Sequence, residues 1–138
     1  MNKKFIIAWL VVFVFWMAGS YVVHGTLLRG DYAGLPNLFR AETESQRYFP
    51  LVILAHVMMA GAFAWIYSRG MEAKPWFAQG LRFGLVMAML TAVPTYTIYY
   101  AVQNMPGTVT LRQIIFDGIL IWFLGAVVAF VYRNTLRT

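Results

Sequence analysis

The sequence predicts an all-α, integral membrane four-helix bundle, and its composition and hydropathy pattern support that prediction. Of its 138 residues, 61% are hydrophobic and only 12% are charged, whereas soluble domains carry about 25% charged residues. Four apolar runs each approach the ~20 residues with which a helix crosses a ~30 Å hydrocarbon core. They cover residues 5–28, 50–67, 83–102 and 111–132. The remaining residues are too few for a separate soluble domain, so we expect residues 1–138 to form one domain.

The basic residues divide unequally between the two sides that four spans would define. The side of the termini holds Lys3, Lys4, Arg69, Lys74, Arg82, Arg133 and Arg137, and the other holds Arg29, Arg40, Arg47 and Arg112. Because cytoplasmic segments of membrane proteins are enriched in Lys and Arg, both termini are predicted to be cytoplasmic and Asp31–Tyr48 external. The net charge of +6 is then a topological signal, and we expect no nucleic-acid partner.

The first run ends near Leu28, where Arg29-Gly30-Asp31 interrupts it. In the long connection that follows, Ala41–Arg47 is compatible with a helix, and both a short interfacial helix and an ordered polar loop remain open. Pro50 is predicted to begin the second helix, because proline at the first helical position needs no hydrogen-bond donor.

Pro94 is expected to kink the third helix, since it removes a backbone hydrogen bond. The turn Asn104–Gly107 is short, so the third and fourth helices should be antiparallel neighbours. Small residues at helix-packing spacing predict close contacts within the chain or in a homodimer. These are Ala60 with Ala64, Gly80 with Gly84, and Gly118 with Gly125.

Asp117 is the only acidic residue inside an apolar run. A carboxylate at such depth is unfavourable by ~2.5–3.5 kcal/mol on insertion scales, so it should face a partner or a wet cavity. The helical rise puts Asp117, His56, Tyr96 and Tyr21 roughly 9–12 Å from the external ends of their helices, and His24 about 6 Å. These depths predict an outward-facing polar pocket with seven candidate ligand-binding or proton-coupling residues. They are Asp117, His56, Tyr96, His24, Tyr21, Gln113 and Gln103.

Helical spacing supports a shared face for several of these groups. Tyr96 and Gln103 lie seven residues apart, and Gln113 and Asp117 lie four apart. The alternative for Asp117 is a purely structural carboxylate, and the alternative for His24 is an interfacial position.

A His–Asp couple would change protonation near neutral pH without a cofactor. No cofactor is predicted, although haem or a metal held by His24 and His56 is an alternative. The chain has no cysteine, and no pattern typical of a catalytic site is present.

The segment Trp16-Met17-Ala18-Gly19-Ser20-Tyr21 closes the first span, and a polar loop and three further spans follow, with a polar residue early in the fourth. This organisation resembles that of small, uncharacterised four-span bacterial membrane proteins. The resemblance implies a multi-pass protein of the bacterial inner membrane. No activity is assigned to such families, so the resemblance transfers no catalytic residue.

Three functions are compatible with these patterns. The first is a binding or accessory membrane protein whose pocket holds a small amphipathic ligand, a lipid or a partner helix, alone, as a homodimer or in a larger complex. The second is a dimeric proton-coupled transporter of small molecules. The third is an intramembrane acid–base enzyme or a haem-binding subunit. The inner half of the spans lacks a charged pathway, which favours binding over transport.

Overall fold

The computed structural model describes residues 2–135, so Arg137, which contributes to the predicted charge asymmetry, lies outside the described part. The described chain is all-helical, with 82% of residues in helices and no strand. The helices are α1 (Lys3–Val22), a π-helical turn (Val23–Leu27), α2 (Arg29–Ala33), α3 (Glu42–Arg69), α4 (Trp76–Leu90), α5 (Ala92–Val102) and α6 (Gly107–Tyr132). Four segments are long and apolar enough to cross a membrane, namely Lys3–Leu27, Glu42–Arg69, Trp76–Val102 and Gly107–Tyr132. The predicted all-α class is therefore confirmed, with four helices that are long and apolar enough to span a membrane.

The first span changes its helical geometry near its end. Asn2 caps the start of α1 by accepting a hydrogen bond from the Lys4 N–H at 3.1 Å. After Val22 the helix widens into the π-helical turn, and the Leu28 N–H bonds the Val23 carbonyl five residues back at 2.9 Å. Such single wide turns are frequent at functional sites, and this one contains His24.

The second span begins at Glu42 rather than at Pro50, which corrects the predicted start. Glu42 and Glu44 lie in the first turn of α3, where negative charge is stabilised by the helix dipole. Pro50 lies inside α3, where it cannot donate to the Gln46 carbonyl. The charged segment after Ala41 is therefore the beginning of the spanning helix and not a separate interfacial helix.

The third span starts at Trp76, before the predicted Phe83, and is divided at Thr91. Pro94 has no N–H to donate to the Leu90 carbonyl, and the division lies at that point, as predicted. The Thr91 hydroxyl turns back and donates to the Met87 carbonyl at 2.6 Å.

Across the bundle, α6 packs against α4, α5 and α1, and α1 packs in turn against α3. The close contact between α4 and α6 depends on glycine. A Cβ added to Gly84 would lie 2.9 Å from the Trp122 Cα, and one added to Gly125 would meet the backbone of Gly80 and Gly84. Gly118, by contrast, has no such neighbour within 4 Å. The predicted close packing within the chain is therefore present at Gly80, Gly84 and Gly125 and absent at Gly118.

The two ends of the bundle differ in their contents. We call the end that holds Asn2 and Asn134 the terminal end, and the end that holds the loops 34–41 and 103–106 the loop end. The half toward the terminal end contains the tightly packed apolar core of Ala8, Val12, Ala60, Phe63, Ala64, Leu124, Val128 and Ala129. Here the Phe83 ring of α4 lies 4.8 Å from the Phe63 ring of α3. Toward the loop end, every residue of α3 from 42 to 55 is exposed.

Candidate functional site

Asp117 lies at the centre of a hydrogen-bonded network near the loop end. It is 8% exposed, and its Oδ2 accepts a hydrogen bond from the Tyr96 hydroxyl on α5. The same oxygen lies 3.1 Å from His24 Nε2 on the π-helical turn. Three spanning segments therefore meet at one carboxylate oxygen.

Tyr32 of α2 extends this network beyond the spans. Its hydroxyl lies 2.7 Å from His24 Nδ1 and accepts a hydrogen bond from Gln113 Nε2 at 3.2 Å. The Tyr32 ring also stacks on His24, with centroids 5.9 Å apart and an interplanar angle of 14°. Burial raises the pKa of the Tyr32 hydroxyl to about 12, so this group remains a neutral O–H donor at physiological pH.

One arrangement of protons satisfies every contact in this network. Gln113 donates to Tyr32, Tyr32 donates to His24 Nδ1, and the Nε2–H of neutral His24 donates to the Asp117 carboxylate. Protonating His24 would make Nδ1 a donor as well, and the Tyr32 hydroxyl would then have to accept from it.

Two buried polar atoms beside this network have no partner among residues 2–135. They are the side-chain oxygens Oε1 of Gln113 and Oγ1 of Thr110, on residues that are 3% and 6% exposed. The two residues are three apart on α6 and so share one face. An unsatisfied buried polar group is unfavourable by about 1–3 kcal/mol, so a hydrogen-bond donor placed beside either oxygen would be stabilising.

An ion pair fixes α2 over the network. Arg112 Nη1 of α6 lies 3.0 and 2.9 Å from the two carboxylate oxygens of Asp31. Asp31 directly precedes Tyr32, so this contact helps to hold the Tyr32 hydroxyl above His24. Arg112 is well exposed, and exposed ion pairs contribute only ~0–1 kcal/mol, so its role is mainly geometric.

His56 occupies a separate polar position between α3 and α1. Its Nδ1 donates to the Val52 carbonyl at 2.8 Å, and its Nε2 lies 2.9 Å from the Ser20 hydroxyl. Trp16 packs edge-on against the ring, with centroids 6.3 Å apart. No hydrogen bond joins His56 to Asp117 among residues 2–135, because His56 bonds Ser20 and Val52 between α1 and α3 while Asp117 contacts Tyr96 and His24.

The remaining predicted residues lie outside the network. Tyr21 is 72% exposed, and Gln103 is exposed at the end of α5. Of the seven candidates, the structure brings together His24, Tyr96, Gln113 and Asp117. Sequence reasoning missed Tyr32 and Thr110, since Tyr32 lies beyond the first apolar run and Thr110 lies just before the fourth.

The described residues contain no group of three His, Asp or Glu side chains that could hold a metal ion. The ring nitrogens of His24 and His56 are all engaged by protein groups. The network joins side chains of four helical elements, namely the π-helical turn, α2, α5 and α6.

Comparison with protein-family models, with curated proteins and with solved structures finds no match to this chain.

Proposed function

We propose that this chain is a membrane protein that binds a small amphipathic molecule at the loop end of its bundle. The polar part of the molecule donates hydrogen bonds to Gln113 and Thr110, beside the His24–Asp117 pair. Its apolar part lies along the lipid-facing helices. The observation that carries this proposal is the pair of buried, unpartnered oxygens on one face of α6.

The surroundings of the site support access from within the membrane. Residues 42–55 of α3 and Tyr21 and Val22 of α1 are exposed, and the side chain of His24 is 34% exposed while that of Asp117 is 11% exposed. A ligand entering between the helices therefore meets the imidazole first. The positive-inside pattern supports our proposal that this site lies on the external side of a bacterial inner membrane.

The same features support binding more than transport. The His24–Asp117 contact could couple proton uptake to a ligand, as a proton-coupled transporter requires. However, a transporter also needs access from the opposite side, and the core toward the terminal end is apolar and fully buried at Ala8, Val12, Leu124 and Val128.

A matched pair of ligands tests the requirement for a hydrogen-bond donor. The protein, purified in lipid nanodiscs, is heated with decanol or with decyl methyl ether, which has a similar chain but no donor. Decanol should raise the unfolding temperature, because a ligand that binds only the folded state stabilises it by mass action. Decyl methyl ether should leave the unfolding temperature nearly unchanged.

The double variant Thr110→Val/Gln113→Leu removes both oxygens while keeping similar side-chain shapes, and it should abolish the difference between the two ligands. Ser20→Ala is the matched control, because it removes a polar group from the His56 position and should preserve the difference. Equal stabilisation of the unaltered protein by both ligands, or a difference that survives in the double variant, would overturn the proposal.

A further inference from the structure

A cavity lies at the opposite, terminal end and has no connection with the polar network. It is an open groove of about 610 Å³ between α1 and α6, with Trp76 of α4 at its edge. Cavities of ~300–1,000 Å³ are typical of small-molecule sites. Its walls are apolar along most of their length, but its mouth is basic, with Lys4 and Arg133 on opposite sides.

The length of the groove matches one leaflet of a bilayer. From Lys4 to Phe15 on α1 the helix rises by ~16 Å, and half of a ~30 Å hydrocarbon core is ~15 Å. At the deep end the rings of Phe15 and Phe123 close the groove, with centroids 6.0 Å apart. At the mouth Trp76 packs on Phe130 at 5.6 Å, in the position of an interfacial aromatic residue.

The mouth carries uncompensated positive charge. No carboxylate among residues 2–135 pairs with Lys4 or Arg133, whereas Arg29, Arg40, Lys74 and Arg112 all have acidic partners. The Arg133 guanidinium lies over the Phe130 ring at 3.6 Å, which directs it along the groove edge. Asn134 adds an amide beside it.

We propose that this groove binds an acidic diacyl phospholipid of the leaflet at the terminal end. One acyl chain lies between Ile7, Val11 and Val127 and reaches the Phe15–Phe123 floor. The phosphate is bound between Lys4 and Arg133. A zwitterionic lipid would fill the groove equally well but would bring no net charge to the two cations.

Native mass spectrometry of the detergent-solubilised protein tests this site. Phosphatidylglycerol and phosphatidylcholine with identical acyl chains are titrated separately. Two basic residues near an anionic headgroup favour the acidic lipid by about 30-fold, at roughly 5-fold for each residue. The double variant Lys4→Gln/Arg133→Gln should remove this preference.

The control Lys3→Gln/Arg69→Gln makes the same charge change outside the groove and should keep the preference. Val127→Trp, which fills the groove and leaves the cations, should weaken binding of both lipids. Equal binding of the two lipids, an equal loss in the control, or binding of soluble glycerophosphoglycerol as tight as that of the lipid would overturn the proposal. A dimer that Val127→Trp converts to a monomer would assign the groove to a second copy instead and would also overturn it.

Discussion

The loop end and the terminal end of this bundle bring the same helices together by different means. At the terminal end α6 meets α4 through backbone contacts at glycine, and apolar side chains fill the remaining space. At the loop end α6 meets α1 and α5 through the polar side chains of His24, Tyr96 and Asp117. The comparison indicates that close packing stabilises the terminal end of the bundle, while a small number of hydrogen bonds stabilise the loop end.

Helix α3 shows the same division along its own length. Ala60, Phe63, Ala64 and Tyr67 are buried, whereas the residues from 42 to 55 are exposed. His56 lies at the boundary, where its ring bonds to Ser20 and to its own helix. The terminal half of α3 therefore belongs to the core, while the loop-end half leaves room beside α1.

The largest expected effect is at the glycine contact of the terminal end. Gly84→Leu must push α4 away from the Trp122 backbone, because the contact is with main-chain atoms that cannot rotate aside. The free energy of unfolding should fall by ~3 kcal/mol, at the upper end of the range for overpacked cores. Thermal unfolding in nanodiscs measures this loss.

Gly118→Leu is the matched control, because it adds the same side chain to the same bundle where a Cβ meets nothing within 4 Å. We expect little loss of stability from it. Equal losses of stability in the two variants would show that close packing at glycine does not stabilise the terminal end.

A smaller effect is expected from removing the carboxylate of the loop end. Asp117→Leu leaves the Tyr96 hydroxyl and His24 Nε2 unpaired, which should lower the free energy of unfolding by about 1–3 kcal/mol. Asp117→Asn keeps a polar acceptor and should cost less stability while changing ligand binding. Chemical unfolding and the decanol assay together separate these outcomes, and full stability and full binding in Asp117→Leu would contradict them.

Ser20→Ala tests whether His24 and His56 lie in separate polar positions. It removes the hydroxyl that faces His56 Nε2, and interhelical hydrogen bonds in membranes average ~0.6 kcal/mol. The imidazole nitrogen signals of His56 should shift in NMR spectra, while those of His24 should not. Asp117→Asn should produce the opposite pattern, and a shift of both histidines in either variant would mean that the two positions are coupled.

The effect of removing the Tyr32 hydroxyl is expected to depend on pH. Because its pKa is raised by burial from 10.0 to about 12, its contribution to stability is fully present below pH ~10, the value for an unfolded tyrosine. That contribution is lost as the pH rises through 12. Tyr32→Phe should therefore reduce the fall in stability above pH ~10 that the unaltered protein shows, and identical pH profiles would contradict this.

Span number and the Asp117–Tyr96 contact follow from local sequence features. A carboxylate deep in an apolar run needs a partner, and the short turn 103–106 makes the two helices that hold these residues neighbours. The predicted start of α3 was wrong because the acidic first turn at Glu42 begins the helix and Pro50 lies inside it. Proline is tolerated inside a membrane helix where other groups satisfy the backbone carbonyl that it leaves without a donor.

The partner of His24 could not be derived in the same way. Depth measured along each helix says nothing about which helices touch, and it placed His56 in the same layer as Asp117. The observed arrangement depends on the packing of α1 against α6, the first and last spans, which no local pattern encodes. The π-helical turn also changes the direction of His24 at a place where helical periodicity assumes a regular helix.

The contact between the first and last spans has a consequence for biosynthesis. Translation delivers His24 to the membrane before the other groups of the network, and the Asp117 side chain enters later, with α6. Tyr96 precedes Asp117 by only 21 residues, on the helix that is inserted just before. Tyr96 is thus the first partner that the nascent carboxylate meets, and we expect it to shield Asp117 from lipid until α6 docks against α1.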